Sequence, residues 1–188
     1  MMITGMVLFV ALSFQGAFIV DAAAEVSFTV RAHPDSVRTR LADIGLLARN
    51  MPGVVEIRPV GGDGYLYRTE REIPFSGTSR NDFHIARTST HDGAVLYRTP
   101  DSQAQNWMSY RLNPSSGRGG TTRVDIRLRV RLVRDSGTEI HLLAPVLGET
   151  FISEQMEKDL RSMLEEFSWR AVRELEADTS AATGKGRL

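Results

Sequence analysis

The chain has 188 residues, enough for one domain with its own core. Lys plus Arg and Asp plus Glu both number 23, so no net charge draws it to nucleic acid or an anionic membrane. A hydrophobic content of 41% excludes wholesale disorder, and the absence of Cys excludes a disulfide scaffold, a thiol nucleophile and thiolate metal sites.

Ile3 to Val20 is uncharged and apolar and leads into Asp21-Ala22-Ala23-Ala24-Glu25. Ala22 and Ala24 fit the small-x-small pattern of a signal-peptidase site, which predicts a secretory signal over residues 1–24 with cleavage after Ala24, although the segment has no Lys or Arg in its n-region. An uncleaved N-terminal anchor and an apolar extension that packs on the fold are the other readings. The expected location is secreted or periplasmic, or membrane-anchored if the segment stays.

Glu25 to Arg31 alternates and predicts a short strand. Pro34 stands where a helix begins, and Val37, Leu41, Ile44, Leu46 and Leu47 follow at helical spacing, with Gly45 expected to split them into two short helices. After the stop at Asn50-Met51-Pro52-Gly53 the pattern turns to strands over Val54–Val60, Tyr65–Ile73, Asp82–Thr90, Ala94–Thr99 and Trp107–Leu112, with Asn113–Gly120 as a flexible turn. Thr121–Arg134 then alternates almost without fault. Val124, Ile126, Leu128, Val130 and Leu132 fall on one side and Arg123, Asp125, Arg127, Arg129 and Arg131 on the other. At about 3.3 Å per residue this strand extends about 45 Å, long enough to force a twisted, curled sheet. Ile152, Met156, Leu160, Met163, Phe167 and Ala171 form one stripe of a long helix from Gly148 to Ala177, and residues 178–188 are expected to be a disordered tail.

No pattern here carries chemistry by itself. His33, His84, His91 and His141 lack zinc spacing, and Gly61-Gly62-Asp63-Gly64 leads into a strand without the Lys-Ser/Thr of a phosphate loop. Leu66-Tyr67-Arg68-Thr69 recurs as Leu96-Tyr97-Arg98-Thr99; paired Tyr and Arg around a substrate oxygen is the sharper reading, strand composition the preferred one. Tyr65, Tyr67, Tyr97, Trp107 and Tyr110 form an aromatic set that either stacks on a ligand or packs in the core or at its rim, packing being preferred. The Arg row is read as a solvated face with acidic cross-strand partners.

Val26 to Val54, VSFTVRAHPDSVRTRLADIGLLARNMPGV, resembles the opening of the START-like helix-grip superfamily, which includes polyketide cyclases, aromatase/cyclases and lipid-transfer domains. The spacing of the Asp and of Pro-Gly-Val is nearest to the carbon monoxide dehydrogenase branch of that superfamily, although Arg38 or Thr39 stands where a first-helix Trp or Tyr is often found. The resemblance covers residues 25–177 and implies an α+β fold: a curved antiparallel sheet of about seven strands around a long C-terminal helix, with two short helices after strand one. It also implies a cavity between sheet and helix. The residues expected to line it are Tyr67, Tyr97, Trp107, Tyr110, Ile126, Leu128, Met156, Met163 and Phe167.

Neither a catalytic group, a metal nor a cofactor is expected. The expected function is a non-catalytic carrier or binding protein for a lipid-like or other hydrophobic small molecule, with no nucleic-acid partner and with membrane contact only through an uncleaved N-terminal segment. The alternatives are a cyclase/dehydratase acting on a polyketide-like substrate and an accessory interaction domain with a closed cavity.

Overall fold

The alternating strand at Thr122–Arg134 (β7) sits near one edge of a seven-stranded antiparallel sheet. A computed structural model describes residues 17–73 and 77–184. In chain order the other elements are β1 (Phe18–Val30), α1 (Pro34–Leu41), α2 (Ile44–Asn50), β2 (Val54–Gly61), β3 (Gly64–Ile73), β4 (Gly77–Ser89), β5 (Val95–Arg98), β6 (Asn106–Ser116) and, after β7, α3 (Ala144–Gly184). The strand order is β1-β7-β6-β5-β4-β3-β2. Strands two to seven form a meander, and β1 closes back on β7. The sheet curves around α3, as its even-numbered β7 side chains require: Val124, Ile126, Leu128, Val130 and Leu132 are all buried.

The first strand departs from expectation. It begins at Phe18, seven residues before Glu25, and pairs with β7 along its whole length, from Phe18 opposite Arg134 to Val30 opposite Thr122. Val20, Ala22 and Ala24 point inward and are buried. Asp21 points outward, where its carboxylate accepts two hydrogen bonds from the Arg129 guanidinium at 3.0 and 2.7 Å. The Phe18 ring lies against Gly137, so close that a Cβ there would sit 2.8 Å from it.

The free edge of β1 is covered by α3. The backbone N–H of Ile19 donates to Glu149 Oε1 (2.7 Å), that of Asp21 to Ser153 Oγ (3.4 Å) and that of Arg31 to Glu176 Oε1 (3.0 Å). The twelve strand steps from Ile19 to Arg31 and the 27 helix steps from Glu149 to Glu176 both cover about 40 Å. Strand and helix therefore run side by side over matching lengths, and α3 accepts from edge donors at both ends of β1. Ala22 and Ala24 suit this place because small side chains let the helix lie close to the strand.

Further boundaries differ, and β4 begins at Gly77, five residues before the expected Asp82. The break between α1 and α2 falls at Ala42-Asp43, where Asp43 caps α2 by accepting from the Gly45 N–H at 2.9 Å; Gly45 lies inside the first turn and does not split the helix. Strand β6 runs through Asn113 and Pro114 to Ser116, leaving only Gly117–Thr121 as the turn. Pro114 is accommodated because β5 pairing ends at Leu112, so its missing N–H faces an uncovered edge. Helix α3 continues to Gly184, past Asp178 where a tail was expected; residues 185–188 lie outside the described ones. At its other end Gly148 (φ 81°, ψ 163°) separates a first turn from the main helix, a conformation only glycine adopts cheaply.

The small helices are locked to α3 by Glu174. Its carboxylate accepts from Arg49 (2.5 Å), Asn50 Nδ2 (2.6 Å) and Arg40 (3.3 Å). The Arg49 hydrogen bond, helped by Asn50 and Arg40 and opposed by desolvation, holds the Glu174 carboxyl below its usual range. A carboxyl depressed in the folded state stabilises fully above its unfolded value of about 4.3 and loses that contribution as pH falls through the folded value. Glu174→Ala is expected to cost about 1–3 kcal/mol at pH 7. In urea melts at pH 7 and pH 3 the wild type should lose more stability on acidification than the variant; equal losses would contradict this role.

Candidate functional site

The concave side of the sheet and the inner face of α3 meet in the apolar core where the sequence places the expected binding residues. The sheet contributes Tyr67 (β3), Phe83 and Ile85 (β4), Tyr97 (β5), Met108 and Tyr110 (β6) and Ile126 and Leu128 (β7), all buried. Leu160, Leu164, Phe167, Ala171 and Leu175 descend from α3. Met156 and Met163 are partly buried and pack at the margin of the same cluster, while Leu41, Leu46 and Leu47 of the small helices close one side.

Eight of the nine residues expected to line a cavity belong to this core or pack against it. Trp107 does not. It lies opposite Arg131 and alternates with the buried Met108 and Tyr110, so strand parity places it on the outer face. Phe83, Ile85 and Leu164 were not singled out from the sequence. Alternation about the exposed His84 marks the first two, and the i+4 step from Leu160 marks the third.

The polar chemistry of this interior narrows to one group. Among the described residues the buried polar side chains are Asn50, Thr99, Thr122 and Ser168, none of them charged, together with the tyrosine hydroxyls. Asn50 Nδ2 donates to the Leu46 carbonyl and to Glu174. Thr122 Oγ1 donates to the Ala32 carbonyl (2.6 Å) and Ser168 Oγ to the Leu164 carbonyl (2.7 Å), while Thr99 Oγ1 accepts from the Met108 N–H (3.2 Å). The Tyr97 hydroxyl reaches the Leu41 and Ala42 carbonyls at 3.2 and 3.0 Å and so pins β5 to the end of α1.

Tyr110 is different. Its ring meets Phe167 edge-on, centroids 6.1 Å apart, and its buried hydroxyl has no hydrogen-bond partner among the described residues. A buried donor left unpaired costs about 1–3 kcal/mol, so this one calls for a reason. Desolvation, reinforced by the neighbouring Tyr67 and Tyr97 hydroxyls, pushes the Tyr110 phenol well above its ordinary pKa. Burial does the same to Tyr67, whose ring stands edge-on to Phe83 at 6.4 Å. Both phenols are neutral at physiological pH: they can donate a hydrogen bond but cannot act as a base.

Elsewhere the outward groups behave as surface chemistry. Arg68 forks onto Asp82 with hydrogen bonds of 2.6 and 2.7 Å and reaches Glu56 at 2.6 Å; Arg127 pairs with Glu25. The recurrent Tyr-Arg pairs thus split, Tyr inward and Arg outward. Arg38, standing where an aromatic was expected, donates to the Gly93 carbonyl at 2.9 Å and to Asp35 at 2.6 Å. His33, His84 and His91 are exposed, His141 is half-buried, and the described residues hold no cluster of three His, Asp or Glu that could bind a metal. A hollow of about 510 Å³ opens beside β1 and α3, with Val26 and Ile126 on its apolar side and Glu25, Arg123, Arg161 and Glu165 around it.

A curved seven-stranded sheet in the order found here, two small helices after its first strand and one long C-terminal helix across its concave side define an architecture. It is the START-like helix-grip fold. Solved structures with the same fold include a START superfamily protein from Mycobacterium smegmatis (12% identity, 84% of this chain and 99% of that one, TM-score 0.55). A protein from Thermus thermophilus (14%, 80% and 97%, 0.54) and the Zhui aromatase/cyclase from a Streptomyces species (17%, 85% and 94%, 0.52) also share it. No family model matches the sequence, and no curated protein matches it. At these identities the likeness establishes the helix grip and leaves the ligand to the site itself. The expected nearness to the carbon monoxide dehydrogenase branch is not confirmed by these likenesses.

Proposed function

We propose that this helix-grip protein is a non-catalytic carrier that holds an apolar small molecule between the sheet and α3. The observation that carries this reading is the unpartnered Tyr110 hydroxyl inside an otherwise apolar, uncharged interior. An apolar guest gains about 0.8 kcal/mol per methylene buried, and one neutral donor orients it. With no charged side chain buried among the described residues, a carboxylate would be held there unpaired, so the preferred guest carries a neutral acceptor such as a ketone, quinone or ester carbonyl. Met156 and Met163 at the margin, flexible and polarisable, suit an opening that adapts to the guest.

A cyclase of polyketide type is the second reading. Tyr67 and Tyr110 together favour it, because two neutral phenols can polarise a carbonyl, and the shared fold of an aromatase/cyclase is compatible with it. The carrier reading is preferred because those phenols are too weakly acidic to exchange protons readily and, among the described residues, no buried His, Asp or Glu accompanies them. A site of action outside the cytoplasm, or at a membrane through the N-terminal segment, belongs to the same proposal and rests on the apolar composition of that segment.

Benzophenone and diphenylmethane test the site because they differ by one carbonyl. The wild type is expected to bind benzophenone about three- to tenfold more tightly, the range a single hydrogen bond supplies. Tyr110→Phe should abolish that preference and leave the melting temperature unchanged or raised, since it removes an unpaired polar atom. Equal binding of the two probes by the wild type would contradict the role of Tyr110. Binding of neither would favour an accessory domain whose interior is closed by its own side chains.

A further inference from the structure

Strand β5 spans only Val95–Arg98, and the next backbone bond, from the Thr99 N–H to the Met108 carbonyl at 2.9 Å, is the last it gives to β6. Beyond Met108 the sheet opens, and Asn106 bridges the opening. Asn106 faces inward with Met108 and Tyr110, and its Nδ2 donates to the Asp82 carbonyl of β4 at 2.8 Å. Its Oδ1 is buried and has no hydrogen-bond partner among the described residues. The bond to Asp82 fixes the orientation of the amide, because a flipped amide would set one acceptor against another.

Arg134 approaches the same place from β7. Asn106 stands opposite Leu132, and Arg134 is the next inward residue, a diagonal neighbour at about 7–8 Å. Its guanidinium donates to Asn81 Oδ1 (2.7 Å) and to the Val133 carbonyl (2.8 Å) and forms no ion pair among the described residues. Desolvation pulls its pKa below the ordinary arginine value; Glu139 opposes this, but the Glu139 carboxylate is itself bonded to the Ser136 N–H at 3.1 Å. The open end of the grip therefore holds a buried acceptor without a donor beside a half-buried cation with N–H groups to spare.

We propose that Asn106 and Arg134 form a second anchor, which takes a hydroxyl at the far end of the guest. The hydroxyl donates to Asn106 Oδ1 and its oxygen accepts from the guanidinium. This inference rests on the carrier reading and narrows its ligand. Asn106 and Tyr110 share the inward side of β6 four residues apart, about 13 Å along the strand. The guest is then a neutral hydroxyketone or hydroxyester, with its carbonyl at Tyr110, its hydroxyl at the other end and an apolar body lying along Met108. A carboxylate fits the anchor less well, because it brings no donor to Asn106 and sets its own lone pairs against Oδ1.

The ketone 2-dodecanone and its 12-hydroxy derivative test this, since they differ by the terminal hydroxyl alone. In an apolar site without an anchor that hydroxyl weakens binding by about tenfold or more. The wild type is expected to bind the hydroxyketone about three- to tenfold more tightly than the ketone. Asn106→Leu and, separately, Arg134→Met should each reverse that order. The 7-hydroxy isomer, whose hydroxyl sits midway, should bind the wild type more weakly than the plain ketone. Equal or tighter binding of the plain ketone by the wild type would overturn the anchor and leave the carrier reading standing, and so would an unchanged order in both variants. Binding of neither probe would overturn both.

Discussion

Replacing Phe167 with Ala is expected to destabilise the protein by about 3–5 kcal/mol, because the ring is fully buried and its neighbours belong to two different layers. On the α3 side it stands between Leu164 and Ala171, and on the sheet side it meets the Tyr110 ring. The void left by the ring cannot close without moving α3 toward the sheet, and the side chains of Glu149, Ser153 and Glu176 that bond the edge of β1 resist that movement. For a domain of this size the loss corresponds to about 6–20 °C in melting temperature. Trp169→Ala is the control on the same helix. Trp169 is largely exposed, with the Arg173 guanidinium 4.8 Å from its ring centre, and its loss should change stability by no more than about 1 kcal/mol. Calorimetric melts of the two variants distinguish them; equal shifts would mean that the helix does not press its Phe167 face into the sheet.

A chain that begins at Glu25 is expected not to fold cooperatively, whereas one that begins at Ala17 should melt like the full chain. The shorter chain lacks seven of the thirteen β1 residues, the ladder from Phe18–Arg134 to Ala24–Leu128, and the buried Val20, Ala22 and Ala24. It also lacks the Asp21–Arg129 ion pair and leaves Glu149 and Ser153 of α3 without their strand partners. Burial of Val20 alone contributes about 1.5–3 kcal/mol, and with seven ladder residues the total approaches the 5–15 kcal/mol that holds a typical domain together. The expected cleavage after Ala24 therefore conflicts physically with β1, and we place any processing point N-terminal to Phe18. N-terminal sequencing of the protein from its source cells checks this. A stable, folded chain starting at Glu25 would contradict it.

Much of the architecture was legible in the residues because burial on one side writes itself into alternation. Thr121–Arg134 announced β7 since its inward and outward sets differ sharply, Val, Ile and Leu against Arg and Asp. The α3 stripe was legible for the same reason at period 3.6. The start of β1 was not. Ala22 and Ala24 are buried and Ala23 is paired outward, but three alanines show no contrast between faces and instead mimic a processing site. The same closeness to α3 that calls for alanine removes the hydrophobic signal. Trp107 was misplaced because its parity was not set against that of Tyr110, three residues on along the same strand. The decisive feature of the site, a hydroxyl without a partner, belongs to no single residue type. Tyr67, Tyr97 and Tyr110 look alike in sequence, and only their surroundings separate a hydroxyl that pins α1 from one that points into an apolar interior.

Native mass spectrometry of the full chain taken directly from its source cells tests the central claim most directly. The carrier reading predicts a one-to-one adduct whose mass and fragmentation identify a neutral, largely apolar molecule with a carbonyl, retained by the wild type and lost or greatly reduced in Tyr110→Phe. Spectra that stay free of any adduct across growth conditions, or an adduct equally retained by Tyr110→Phe, would contradict it.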